Sequence, residues 1–224
     1  MEGQVQRLVD KVWAKYEQIP PDMRLRKTTL ANTIADRLQA RAEKITPNSR
    51  DISQAVSLDG FHFSRAELDA MPDPVTAHAR RGAPFTFNAD KYLDLVMALR
   101  NPATTPILAP TFDHAYKDPR ENDLYISERT RIIIVEGNYL ALNEELWRDA
   151  RGLFDEMWFV EVDFEVARRR LRERHLRAGI VKTLEEGDRR VVENDLPNGR
   201  EIIEKLLPVD EMIQSKEDQG WVHN

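Results

Sequence analysis

The sequence predicts one α/β domain built on an open parallel sheet flanked by helices. Three observations support this. Ile132-Ile133-Ile134-Val135 is a continuous apolar, β-branched run of the kind buried on both faces of a parallel sheet. Short runs of this type alternate with stretches at helical spacing, the pattern of βαβ units. With 224 residues, 41% hydrophobic content and four tryptophans, the chain can bury one sizeable core rather than two.

Val5, Leu8, Val9, Val12, Trp13 and Tyr16 recur at helical spacing, so an amphipathic helix opens the chain and Pro20-Pro21 stops it. A second helix begins near Lys27, with Leu30, Ile34 and Leu38 on one face among good helix formers. Ile52 to Leu58 reads as a short strand ending at Asp59-Gly60, and Ser64-x-x-Glu67 is a capping box for the next helix. Met71 to Phe87 reads as a loop. A helix from about Ala89 to Leu99 follows, turning Tyr92, Leu95, Val96 and Leu99 inward. Ile107 to Ala109 is a brief strand, Ile132 to Val135 the clearest one, and Met157 to Val162 another. Helices are then expected from Phe164 to about Ala178, after the Thr183-x-x-Glu186 cap, and from Asn198. The domain spans 1–213 with a lid at about 168–185, and 214–224 is a polar tail.

Composition narrows the function. Thirty-three basic against 39 acidic residues give a formal charge of −6, which argues against nucleic acid or an anionic membrane as the main partner. The chain has no cysteine, which excludes disulfides, thiolate nucleophiles and cysteine metal sites. The first residues alternate in charge without an apolar leader, and no stretch approaches the roughly 18 apolar residues of a membrane span, so a cytoplasmic protein acting on a small molecule is expected. The oligomeric state is left open.

Asp59, Glu136 and Asp163 fall at the carboxyl ends of predicted strands, where open α/β sheets bind ligands. Acidic residues also end strands to cap the next helix, and that reading fits any one of them alone. Three together point to a metal or phosphate site. Phosphoryl transfer asks mainly for positioning and charge neutralisation, for which a carboxylate near the attacking hydroxyl and a metal-holding acid are the minimal pair. Arg80-Arg81-Gly82 suits phosphate or carboxylate recognition, with a solvated charge pair as the alternative. The run Arg168 to Arg177 is either a solvated helix face or an anion-closing lid.

The ordered series Leu58-Asp59-Gly60-Phe61-His62-Phe63-Ser64, Arg80-Arg81-Gly82-Ala83-Pro84-Phe85-Thr86-Phe87, Pro110-Thr111-Phe112-Asp113-His114 and Val135-Glu136-Gly137-Asn138-Tyr139 resembles the motifs of phosphoribulokinase/uridine kinase-like P-loop kinases, over about Lys27 to Leu207. The resemblance implies ATP and Mg2+ as cofactors. It implies that Asp59 orients or deprotonates the acceptor hydroxyl and that Glu136 acts through magnesium and water. It places His62, Arg80, Arg81, Asp113 and His114 on the substrate side and Arg169 and Arg174 in the closing lid. Asn194 falls near the adenine, and Lys27, Thr28 and Thr29 end the phosphate loop, Thr28 being a metal ligand with Glu136. For Asp113, His114 and Asn194, turn formation or capping accounts for the residue type equally well.

That phosphate loop needs G-x-x-x-x-G-K-[ST], because its backbone N–H groups must converge on the phosphates. Here the glycine positions hold Pro21 and Arg26, and Asp22-Met23-Arg24-Leu25-Arg26 cannot supply the apolar strand that should lead into the loop. Roughly a dozen residues, one strand plus one loop, are missing ahead of Lys27 by the usual lengths of such elements. The family resemblance implies that the absent strand belongs between those at Ile132–Val135 and Met157–Val162. Two functions follow as expectations: a kinase transferring the ATP γ-phosphoryl to a hydroxyl of a nucleoside, sugar, sugar acid or pantothenate-like metabolite, impaired by the incomplete loop, or a metabolite-binding protein without transfer.

Overall fold

A computed structural model describes residues 2–18, 28–101 and 104–214, with backbone alone for Glu2, 15–18 and 28–29. Helix α1 (Glu2–Gln18) and α2 (Thr28–Ile45) lead into β1 (Ser53–Ser57). After α3 (Arg65–Asp69), α4 (Pro74–Ala79) and α5 (Ala89–Arg100) come the strands β2 (Ile107–Asp113), β3 (Asp118–Ile126) and β4 (Ile132–Glu136). The chain continues through α6 (Glu145–Gly152), β5 (Trp158–Glu161), α7 (Phe164–Arg177), α8 (Leu184–Arg190), α9 (Leu196–Glu204) and β6 (Glu211–Gln214). No described helix is long and apolar enough to cross a membrane.

The architecture is three-layered. Ile132 and Ile134 of β4 and Ile213 of β6 turn to one face, where Val5, Leu8, Val12, Ile34 and Leu38 of α1 and α2 cover them. Alternation puts Ile133 and Val135 on the other face with Val56, against Tyr92, Leu95 and Val96 of α5 and Trp147 of α6. Each fully buried aliphatic side chain of this kind contributes about 1.5–3 kcal/mol.

The sheet is parallel but falls into two halves. β1 pairs with β4 in register Ser53 to Ile132 through Ser57 to Glu136, and β5 pairs with β6, while no described strand joins β4 to β5. That is the place where the family resemblance expects a further strand. The helical layer connects the halves instead. Arg7 and Lys11 of α1 donate to Glu211 of β6 at 3.1 and 2.6 Å, and Asp10 of α1 pairs with Arg41 of α2 at 2.7 Å. Ser53 of β1 in turn donates to the Ala35 carbonyl of α2 at 2.5 Å.

Several elements differ from expectation. The segment 71–87 is not plain loop, because Asp73 caps α4 with Pro74 in its first turn, where the missing N–H costs nothing. β2 and β3 form an antiparallel hairpin, and β3 escaped notice because its sequence DPRENDLYI is polar and exposed, without an apolar alternation. α6 and β6 were likewise not foreseen, and β6 extends the ordered fold through Gln214. Asn198 does not start the last helix: α8, a π-turn at Val191–Asp195 and α9 run on continuously, with Asn198 inside.

Candidate active site

Two glycines permit close approach here, of Gly137 after β4 to the turn after β1 and of Gly60 in that turn to β2. A Cβ on Gly137 would lie 2.3 Å from Leu58 Cβ, and one on Gly60 would lie 2.3 Å from the Pro110 carbonyl oxygen. The chain after β1 therefore turns at once through a short 3-10 segment, Leu58–Phe61, capped by Ser57. Ser57 Oγ accepts from Asp59 N–H at 3.2 Å and donates to Glu136 Oε1 at 2.6 Å. One hydroxyl thus ties the turn carrying Asp59 to the second acid. Sequence reasoning passed over Ser57, although a serine two residues before a strand-end aspartate is a local capping signal.

A cavity of about 780 Å³ opens from these carboxylates. It brings together Asp59, His62, Arg81, His114, Glu136 and Arg174 among the predicted site residues. His62 Nδ1 lies 2.9 Å from the Asp59 carbonyl oxygen, and its ring stacks on Phe87 and Phe112 at centroid distances of 3.9 and 5.2 Å. Burial pushes its pKa below the ordinary histidine value, against the pull of the Asp59 backbone and carboxylate, so the ring is held neutral. Asp59 is half exposed and open to a ligand.

Other predicted residues are engaged within the protein. Arg80 does not stand free for substrate: its Nε and Nη2 donate to Asn194 Oδ1 and Asn198 Oδ1 at 3.0 and 2.7 Å. Asn194 is buried there and returns an N–H to the Arg81 carbonyl at 3.3 Å, so two residues expected to hold different ligands hold each other. Tyr139 O–H closes the same loop on the Gly82 carbonyl at 2.5 Å. Arg81 donates to the carbonyls of Lys117 and Phe63 at 2.6 and 3.0 Å and to Asp118 at 2.9 Å, while its buried Nε has no protein partner. Asp113 accepts from the N–H groups of Ala115 and Tyr116 at 2.8 and 3.0 Å, bonds that hold its pKa low, and it pairs with Arg120. It shapes the hairpin turn. Asp163 accepts from Glu165 and Val166 N–H and caps α7, which is the capping use.

On the lid side, Arg168 forks onto Asp188 at 2.7 and 2.6 Å, fastening α7 to α8. Arg174 and Arg190 line the cavity, whereas Arg169 does not form part of its wall. His175, buried on the cavity wall, bonds Asp195 at 2.8 Å through Nε2. Lys27 lies outside the described residues, and Thr28 and Thr29 are described only as the first backbone turn of α2. Among the described residues no group of three metal-ligating side chains occurs. A Mg2+ carried by phosphates needs only one or two protein carboxylates, and Glu136 at the end of β4 is the residue that would supply one.

No protein-family model matches the chain. It is 48% identical over 159 residues to the ATP-dependent kinase-like protein notR' of Aspergillus versicolor, covering 70% of this chain and 92% of that one. It is 35% identical over 207 residues to the ATP-dependent kinase YFH7 of Saccharomyces cerevisiae, whose crystal structure, described as that of a proposed P-loop containing kinase with a circular permutation, superposes with a TM-score of 0.68. It is also 38% identical to a proposed uridine kinase of Schizosaccharomyces pombe over 73% of this chain and 70% of that one, and the chain belongs to the uridine kinase-like family of P-loop kinases. A proposed fructose transport system kinase from Silicibacter sp. shares 28% identity and a TM-score of 0.79 over 93% of this chain and 98% of its own. The alignment with YFH7 covers 78% of this chain and 59% of YFH7, so this P-loop kinase spans under two thirds of that relative's length.

Proposed function

We propose that the chain is an ATP-dependent kinase that passes the γ-phosphoryl group to a hydroxyl of a small metabolite. Asp59 accepts the hydroxyl proton as the oxygen bonds to the γ-phosphorus and the bond to the ADP oxygen breaks. Glu136 would hold Mg2+ through water, and that ion, when bound, neutralises charge on the phosphate oxygens. Arg174, exposed on α7 at the cavity wall, would close on the polyphosphate. The single observation that carries this reading is the Asp59–Ser57–Glu136 chain of hydrogen bonds at the head of a cavity large enough for a metabolite.

A second reading, metabolite binding without transfer, draws on Pro21 and Arg26, which stand where the phosphate loop requires glycine. Labelled γ-phosphoryl transfer from Mg-ATP to a panel of hydroxyl metabolites separates the two. Under the kinase reading Asp59→Asn lowers transfer by roughly 100-fold or more while acceptor binding persists. Undiminished transfer in that variant contradicts the role of Asp59. A folded chain that binds acceptor but not millimolar Mg-ATP establishes the second reading.

A further inference from the structure

The cavity wall carries basic side chains outside any described ion pair at two separate places, and the kinase reading accounts for only one. Several arginines outside the cavity are paired, Arg7, Arg41, Arg65, Arg100 and Arg120 each lying within 4.0 Å of a carboxylate, as is Arg81 on the cavity wall. Arg174 and Arg190 line the cavity from the lid side, outside any ion pair among the described residues, and a nucleotide polyphosphate explains them. Lys117 and His114 line it from a different element, the turn between β2 and β3, and are also outside any ion pair.

That turn is built to hold its shape. Asp113 takes the N–H groups of Ala115 and Tyr116, Arg81 takes the Lys117 carbonyl at 2.6 Å, and Asp118 is gripped by Arg65 N–H at 2.9 Å and by Arg81 at 2.9 Å. Lys117 itself sits at φ +57°, a left-handed conformation uncommon for lysine and sustained here by its surroundings. A ladder of rings, Phe87, His62, Phe112 and His114, runs from the Asp59 turn to this cationic tip with successive centroids 3.9, 5.2 and 5.2 Å apart. The Arg81 guanidinium lies 5.6 Å over Phe112 with its buried Nε–H unpartnered. A fixed turn that sets a lysine outside any described ion pair on a cavity wall is preorganised to receive an anion.

We infer that the acceptor is an anionic hydroxyl compound, its carboxylate or phosphate received by Lys117 and His114 while the hydroxyl to be phosphorylated lies at Asp59. This rests on the proposed acceptor site, yet it is tested without nucleotide. Ribitol, ribonate and ribitol 5-phosphate supply one carbon skeleton in neutral, carboxylate and phosphate forms. Calorimetry on the full chain is expected to give at least ten-fold tighter binding for one or both anionic forms. The preference should shrink several-fold in Lys117→Gln, weaken in His114→Ala and fall with added salt. Whichever anion binds more tightly distinguishes carboxylate from phosphate. Equal affinity for ribitol, no binding of any of the three at millimolar concentration, or an anion preference unchanged in Lys117→Gln would each overturn the inference. Retained anion preference in a chain that fails to bind Mg-ATP removes the kinase reading and leaves this one standing.

Discussion

The acceptor side and the donor side of this kinase fold are held together by different physics. On the acceptor side, buried or half-buried polar contacts join segments far apart in sequence: Ser57 to Glu136, Arg80 to Asn194 and Asn198, Tyr139 to Gly82. On the donor side β4 and β5 are not joined by any described strand, and the two half-sheets meet through the side chains of α1 and α2. β4 is buried along most of its length, whereas Trp158, Phe159 and Val160 of β5 are only half-buried. The contrast shows that the ends of β1 and β4 are tied together although no described strand lies between β4 and β5.

The comparison can be broken most forcefully at Arg80. Arg80→Ala strands two buried asparagines, and hydrogen bonds to a charged group are worth about 1.5–3 kcal/mol, so a loss of roughly 2–4 kcal/mol is expected in urea unfolding. An unchanged midpoint would mean that the acceptor loop and α9 are not coupled. Ser57→Ala removes a cap and a bond to Glu136 together. It should cost about 1–2 kcal/mol and weaken acceptor or metal-nucleotide binding roughly ten-fold, with Ser57→Thr restoring most of both.

A smaller effect concerns pH. Burial lowers the pKa of His62, so the unfolded chain binds its proton more readily than the folded one. Its contribution is therefore complete above the ordinary histidine pKa of about 6.5 and declines as pH falls from there through the folded value. Comparing the unfolding midpoints of the wild type and His62→Phe between pH 7 and 5 should show the steeper decline in the wild type. The smallest effect belongs to the lid: Arg168→Ala breaks an exposed fork with Asp188 and should leave the midpoint nearly unchanged while making 178–188 more open to proteolysis.

Much of this was legible in the sequence where local signals and tertiary context agree. The β-branched run 132–135, the Ser64–Glu67 capping box and the Thr183 cap all form as their residues dictate. β3 was illegible because its strand pairing, not its residue pattern, makes it a strand. Asp59 and Glu136 come to one cavity because strand ends converge in this architecture, and His62 and Arg174 line the same cavity. The fates of Arg80, Asn194 and Asp113 were not readable, because a sequence shows which groups can bond a ligand but not which have already found partners across more than a hundred residues, as Arg80 and Asn194 have.

The central claim is that the acceptor site is formed independently of the phosphate loop. The most direct measurement is the unfolding temperature of the full chain with ribitol 5-phosphate or ribonate alone, with Mg-ATP alone, and with each acceptor and Mg-ATP together. A rise with an acceptor alone, lost in Lys117→Gln and reduced in Ser57→Ala, is the expected result. Stabilisation by Mg-ATP only, with no response to either acceptor in its absence, would contradict the claim.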